Sequence, residues 1–244
     1  MKTKVLIIVG ICLVWANLTH AQFNRFNKVG TTAFQFLKVN TTARAAAMGE
    51  AYSTIASSAD AVFWNPANLV FVKKWDVSLA YLDWLLDIRQ NSFAAAYNLG
   101  NWGVVAVSGM MNDIGGIEVT RADHLYRKED GTYNPGLTGE TIYPKSDFFG
   151  ISYARYLTTK FAFGVSLKYA EEDLVVDKAS TLFTDLGFYY NTGYKSLKLA
   201  IVVRNFGPDI TYVDKNYPLP QILNIGVSSY IIGNGDGLLL NSTN

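Results

Sequence analysis

Apolar and polar residues alternate with a period of two along most of the chain after residue 75. In "KFAFGVSLKYA" the odd positions are Phe161, Phe163, Val165, Leu167 and Tyr169, and the even positions are Ala162, Gly164, Ser166, Lys168 and Ala170. The same alternation runs through Phe149, Ile151 and Tyr153, through Leu197, Leu199, Ile201 and Val203, through Leu223, Ile225 and Val227, and through Phe93, Ala95, Tyr97 and Leu99. Successive side chains of a strand point to opposite faces, so each segment predicts a strand with one apolar face and one small or polar face. The pattern places strands at about 76–86, 89–99, 102–112, 147–157, 160–171, 182–192, 195–206 and 221–232, with a further start near Gly237.

Two architectures fit such strands. A soluble sandwich turns the apolar face into a core, whereas a transmembrane barrel turns it to lipid and the polar face to its lumen. The connections favour the barrel. Leu99–Trp102, Leu157–Lys160, Thr192–Lys195 and Gly233–Asp236 read as tight turns, while Asn112–Ser146, Glu172–Thr181 and Gly207–Pro220 read as long polar loops; Asp87-Ile88 is the short exception on the long side. Sorting of short turns to one rim and long loops to the other is a property of outer-membrane barrels. Trp75, Trp84, Trp102, Tyr156, Phe161 and Tyr194 fall near strand ends, where amphipathic rings suit a membrane interface.

The N-terminus is of another kind. Lys2 and Lys4 precede an apolar run over Val5–Trp15, too short to span a bilayer as a helix, and Thr19-His20-Ala21 supplies small residues before Gln22. Residues 1–21 read as a secretory signal peptide. Its removal takes the only cysteine, Cys12, and moves the formal charge from +1 to −1. The mature chain then has no thiol for disulfides or metal ligation, and no basic field suited to nucleic acid. One histidine, His124, is left beside Asp123 in a charged loop, and no Gly-x-Ser-x-Gly elbow is present, so a hydrolase is not indicated. Glu171-Glu172-Asp173 is an acidic strand end that reads more readily as a solvated rim than as a cation site. No catalytic, metal or cofactor-binding residue emerges, and no cofactor is expected.

Between leader and strands, Ala43, Ala45, Ala46, Ala47 and Met48 favour helix, Gly49 interrupts it, and Ser57–Asp60 offers a second helical start. Pro66 removes a backbone donor and keeps Asn65 out of the helical region, so the chain turns at Trp64-Asn65-Pro66-Ala67. Small residues suit either a helix on a sheet or a compact plug inside a barrel.

The run Gly30–Phe71 resembles the N-terminal signature of the PorV/PorQ family of Bacteroidetes-type outer-membrane proteins. The resemblance rests on Phe36-Leu37-Lys38, on Ala43-Arg44-Ala45-Ala46-Ala47-Met48-Gly49, on Ala56–Asp60 and on Trp64-Asn65-Pro66-Ala67, and extends more loosely over Leu82–Gly109. That family is similar in turn to FadL-type hydrophobic-compound channels. The resemblance implies an all-β, antiparallel transmembrane barrel of nominally fourteen strands with an N-terminal hatch over residues 22–74 and Trp64, Asn65, Pro66 and Ala67 as its structural elbow. It also implies the outer membrane of a Gram-negative, Bacteroidetes-like bacterium as location, and a role in the type IX secretion system. Its expected partners are outer-membrane lipid, secreted cargo proteins and other secretion subunits, met by the loops Asn112–Ser146 and Gly207–Pro220. The alternative is a FadL-like channel for hydrophobic small molecules. Residues 75–244 hold only about eight or nine strands, which reads as a C-terminally incomplete barrel.

Overall fold

The computed structural model describes residues 32–85, 88–175, 177–212, 215–233 and 240–241; the leader expected over 1–21, the first ten residues of the expected hatch and the turn at Gly233–Asp236 lie wholly or largely outside them. Eight strands form one antiparallel sheet. They are β1 (Trp75–Asp83), β2 (Arg89–Asn98), β3 (Val104–Asp113), β6 (Lys145–Tyr156), β7 (Phe161–Asp173), β8 (Lys178–Asn191), β9 (Lys198–Phe206) and β12 (Ile222–Ser228), and they lie side by side in chain order. Each agrees with the alternation of the sequence to within a few residues.

Three short two-stranded ribbons complete the strands. β4 (Ile117–Arg127) and β5 (Tyr133–Ile142) form an antiparallel hairpin between β3 and β6, and β10 (Ile210–Tyr212) pairs with β11 (Lys215–Tyr217) between β9 and β12. β13 (Ile232–Gly233) pairs in parallel with β14 (Leu240–Asn241). Three readings of the loops are therefore corrected. Asn112–Ser146 is a hairpin rather than an irregular loop, and Gly207–Pro220 holds the β10–β11 ribbon. Glu172–Thr181 is mostly strand, because β7 and β8 stay paired up to Asp173 and Lys178. The opposite rim keeps its tight connections at 99–103, 157–160 and 192–197.

The two faces of the sheet are sorted by residue type. One face carries Ser92, Ala94 and Ala96, then Ala106 and Ser108, Ser152 and Ala154, Ser166, Ala170, Asp185 and Ala200, all buried. The other carries Val77, Leu79, Val107, Ile151, Leu186, Ile201 and Ile225, all exposed, with Leu79 at 77% and Ile225 at 72%. A water-soluble sheet has the reverse sorting.

Residues 32–72 lie against the small-residue face. They form a short helix α1 (Ala43–Ala47) followed by 3-10 turns at Ala59–Phe63 and Pro66–Phe71. Gly49 stops α1 in the left-handed region, at φ 59°, as its lack of a Cβ allows. The first of the two 3-10 turns meets β1 and β2, the second meets β3, β6, β7 and β8, and Ser53 stands beside Gly226 of β12. One segment of about forty residues thus touches the sheet from one edge strand to the other, so the sheet curls around it. Among the described residues β1 and β12 remain the edges, and the sheet is not closed into the expected barrel. The reason is steric: an eight-stranded barrel is just wide enough for its own side chains, and here a polypeptide segment takes that space.

Candidate functional site

The elbow forms where the sequence places it. Asn65 is extended, at φ −151° and ψ 102°, and Pro66 opens the 3-10 turn, where its missing donor costs nothing. The Asn65 side-chain oxygen accepts the Ala67 N–H at 3.0 Å, capping the turn. Its Nδ2 donates to the carbonyl of Ser53 at 2.9 Å and to that of Phe188 in β8 at 3.3 Å, and Asn68 Nδ2 donates to the same Ser53 carbonyl at 2.9 Å. Trp64, Asn65, Pro66 and Ala67 are all buried. The Asn65 side chain, with its oxygen and its amide nitrogen both bonded, positions backbone.

What the sequence reading missed is the surface that receives the elbow. Gly164 of β7 is paired with Gly187 of β8. A Cβ at Gly164 would run into the backbone of Pro66 and Ala67, and one at Gly187 into the amide oxygen of Asn65. Two facing glycines make the flat spot on which the Pro66–Ala67 peptide rests. Both occupy small-residue positions of their strands, where pattern alone cannot tell a glycine needed for contact from one merely tolerated.

Beside the elbow lies a buried charge cluster that the alternation registered only as polar positions. Lys168 Nζ of β7 meets Asp185 Oδ2 of β8 at 2.5 Å, and Asp185 Oδ1 accepts the Asn205 N–H at 2.7 Å. Lys168 Nζ also lies 3.4 Å from the Val62 carbonyl and 5.1 Å from the Phe148 ring centre. Arg204 of β9 donates to the Phe63 carbonyl at 2.9 Å and lies 5.1 Å from the Trp64 ring centre, with Tyr52 edge-on to that ring on another side. Burial pushes the Tyr52 hydroxyl above the usual phenol range, and the Asp60 carboxylate that accepts its hydrogen bond at 3.1 Å pushes it further. β7 and β9 thus reach through Lys168 and Arg204 to the carbonyls of residues 62 and 63, with Asp185 of β8 holding the lysine between them. A buried ion pair is tolerable only with such further hydrogen bonds, and here those bonds fasten the segment to the wall.

The other residues singled out in the sequence lie apart from this centre. His124 is exposed on β4, not in a loop. Of the acidic strand end, Asp173 pairs with Lys178 at 2.5 Å, and the Glu172 carboxylate accepts the hydroxyls of Tyr212 and Ser146. The Tyr212 hydroxyl is held far above the usual phenol range, by burial first and by the Glu172 carboxylate next. At the hairpin tip the Asp130 carboxylate accepts from the Thr132 hydroxyl at 2.6 Å and from its N–H at 2.9 Å, which lowers its pKa.

With the fold and this junction in place, comparison with known families is decisive. A family model described as type IX secretion system protein PorV matches residues 22–234. The chain belongs to the PorV family. The match takes in the N-terminal segment, the eight-stranded sheet and the β4–β5 and β10–β11 ribbons. A search of the curated proteins returns no match. PorV is a family of secretion-system components and not an enzyme family. The match lends no support to the hydrophobic-compound channel.

Proposed function

We propose that this chain is an outer-membrane component of the type IX secretion system, exported by a cleaved leader at 1–21. Its strands face lipid, residues 32–72 act as a hatch braced inside the wall, and the rim formed by the β4–β5 hairpin and the 207–220 loop meets secreted cargo or other secretion subunits. The observation that carries the membrane reading is the outer face of the sheet, where large apolar side chains such as Leu79, Ile151 and Ile225 stand exposed, while the buried face is mostly Ala, Ser and Gly with Lys168, Asp185 and a few large residues such as Phe148 and Phe183. In water such a face would be far larger than the apolar patches that monomeric proteins leave uncovered; in lipid it is the expected exterior.

The exposed aromatics support the same reading. Trp75, Trp102, Tyr156 and Tyr194 are exposed at the rim of tight turns, and Trp84 at the far end of β1. Trp75 and Trp84 are nine residues apart in sequence. At about 3.3 Å per residue that is roughly 30 Å along the strand, and about 23 Å across a membrane at the usual tilt near 40°, close to the height of an outer-membrane apolar band.

The test is deletion of the gene in its own host, followed by mass spectrometry of the medium and the cell surface. Cargo of the type IX route should be lost from both and accumulate inside the envelope, with recovery on complementation. Undiminished export from the deletion strain would overturn the proposal.

A further inference from the structure

A cavity of about 20 Å³ lies where the N-terminal segment meets β3, β6, β7 and β9, beside the Lys168–Asp185 pair. That is room for one particle about the size of a water molecule. Three cationic side chains line it, Lys168, Arg204 and the exposed Lys38, and among the described residues no carboxylate does. Residues 1–31 contain neither aspartate nor glutamate, so they bring no carboxylate to it.

Three of the side chains around the cavity carry a buried polar atom with no hydrogen-bond partner among the described residues. They are the Trp64 indole Nε1, the Arg204 Nε and the Thr41 hydroxyl. Trp64 and Thr41 are buried, at 2% and 7% exposure. The cations here also outnumber the carboxylates near them. Asp185 is taken up by the Lys168 ammonium and the Asn205 N–H. Glu50, the other carboxylate that acts on Arg204, is exposed and does not line the cavity. A buried cation without a counter-charge is costly.

We propose that this cavity binds a single chloride ion, which ties Thr41 and Trp64 of the N-terminal segment to Lys168 of β7 and Arg204 of β9. Ammonium, guanidinium and indole N–H groups only donate, so what they need is an acceptor. A water molecule would accept from them but would bring no charge. A halide accepts from several donors at once and supplies the missing negative charge. The cavity is too small for a phosphate, a sulfate or a carboxylate. The ion adds to the brace formed by the carbonyls of residues 62 and 63, on the same two strands. Nothing in this rests on the secretion reading.

The test uses the full chain purified in detergent in gluconate, an anion too large for the cavity. Chloride, and separately bromide, is then titrated in at constant ionic strength. Indole N–H resonances are followed by nuclear magnetic resonance, with that of Trp64 assigned by its loss in Trp64→Phe. The Trp64 resonance should move saturably with either halide, while those of the exposed Trp75 and Trp102 stay in place. In Thr41→Val, which keeps the size of the side chain and removes the hydroxyl, the halide should bind about tenfold more weakly, a difference of about 1.4 kcal/mol. A Trp64 resonance that ignores both halides, or that drifts without saturating, would overturn the proposal and leave the cavity to water. That arm uses the unaltered protein and does not depend on a variant folding. Equal halide affinity in Thr41→Val would overturn it as well.

Discussion

The two faces of the same eight strands make opposite demands on sequence. On the outer face residues differ in shape but share one property: Val77, Leu79, Ile151, Leu186 and Ile225 are large, apolar and exposed. On the inner face they share little chemistry, being Ala, Ser, Gly, Lys, Asp and Phe, yet several are matched to particular neighbours. Gly164 and Gly187 receive the elbow, Lys168 meets Asp185, and Ser152 bonds Ser166 through their hydroxyls at 2.7 Å. The outer face is written for a solvent and the inner for a partner. Substitution should therefore be cheap on the outside so long as apolarity is kept, and costly on the inside even where size and polarity change little.

The largest effect should come from Asp185→Ala. It strands the Lys168 ammonium in a buried site and removes the acceptor of the Asn205 N–H, for a loss of about 3–5 kcal/mol, as for other broken buried pairs. Denaturant unfolding in micelles measures it. The double variant Lys168→Met, Asp185→Leu should regain much of that loss and keep only the penalty of the orphaned Asn205 N–H, about 1–3 kcal/mol. A single-variant loss below about 1 kcal/mol would mean that the cluster is hydrated, and that the inner face is less closely matched than it looks.

The outer face is tested by Ile151→Arg, midway along β6. Facing lipid near the midplane, the charge should cost about 2–4 kcal/mol in refolding into bilayers. If the same face met water, the change would stay within about 0.5 kcal/mol, as exposed substitutions usually do. The contrast between Ile151 and the adjacent Ser152 then becomes a direct reading of which side of β6 the membrane touches.

The same contrast explains what the sequence disclosed. The outer face could be read because apolarity at every second position is a one-dimensional signal, and it located all eight sheet strands. The elbow was legible because Asn-Pro constrains its own backbone, whatever surrounds it. The receiving glycines, the Lys168–Asp185–Arg204 cluster and the Tyr212–Glu172 contact were not, since each joins strands or loops far apart in the chain and leaves no local period. The β4–β5 hairpin escaped for a different reason. Nearly all of β4 is exposed, so neither of its faces is held apolar and the alternation that marks a strand is absent. Its remaining signal, Asp130-Gly131 at the turn, is short.

That hairpin supplies the smallest effect and the control for both faces, because it packs on neither. Asp130 accepts two hydrogen bonds from Thr132, first from the hydroxyl and then from the N–H, and both favour the ionised carboxylate. Its folded pKa is therefore below the ordinary value of 3.8. By linkage, a depressed folded pKa means a contribution to order that is complete above the ordinary value and is lost as pH falls through the folded one. Nuclear magnetic resonance titration of the Asp130 carboxyl carbon should show a midpoint below 3.8, moving up toward that value in Thr132→Val, which deletes the hydroxyl and keeps the N–H. Global unfolding should not respond to that change, since the carboxylate is fully exposed and its partner lies two residues away. A midpoint at or above 3.8 would show the tip turn to be open in solution; a shift in global stability would show that the hairpin is coupled to the sheet, and that the rim and the wall are not independent.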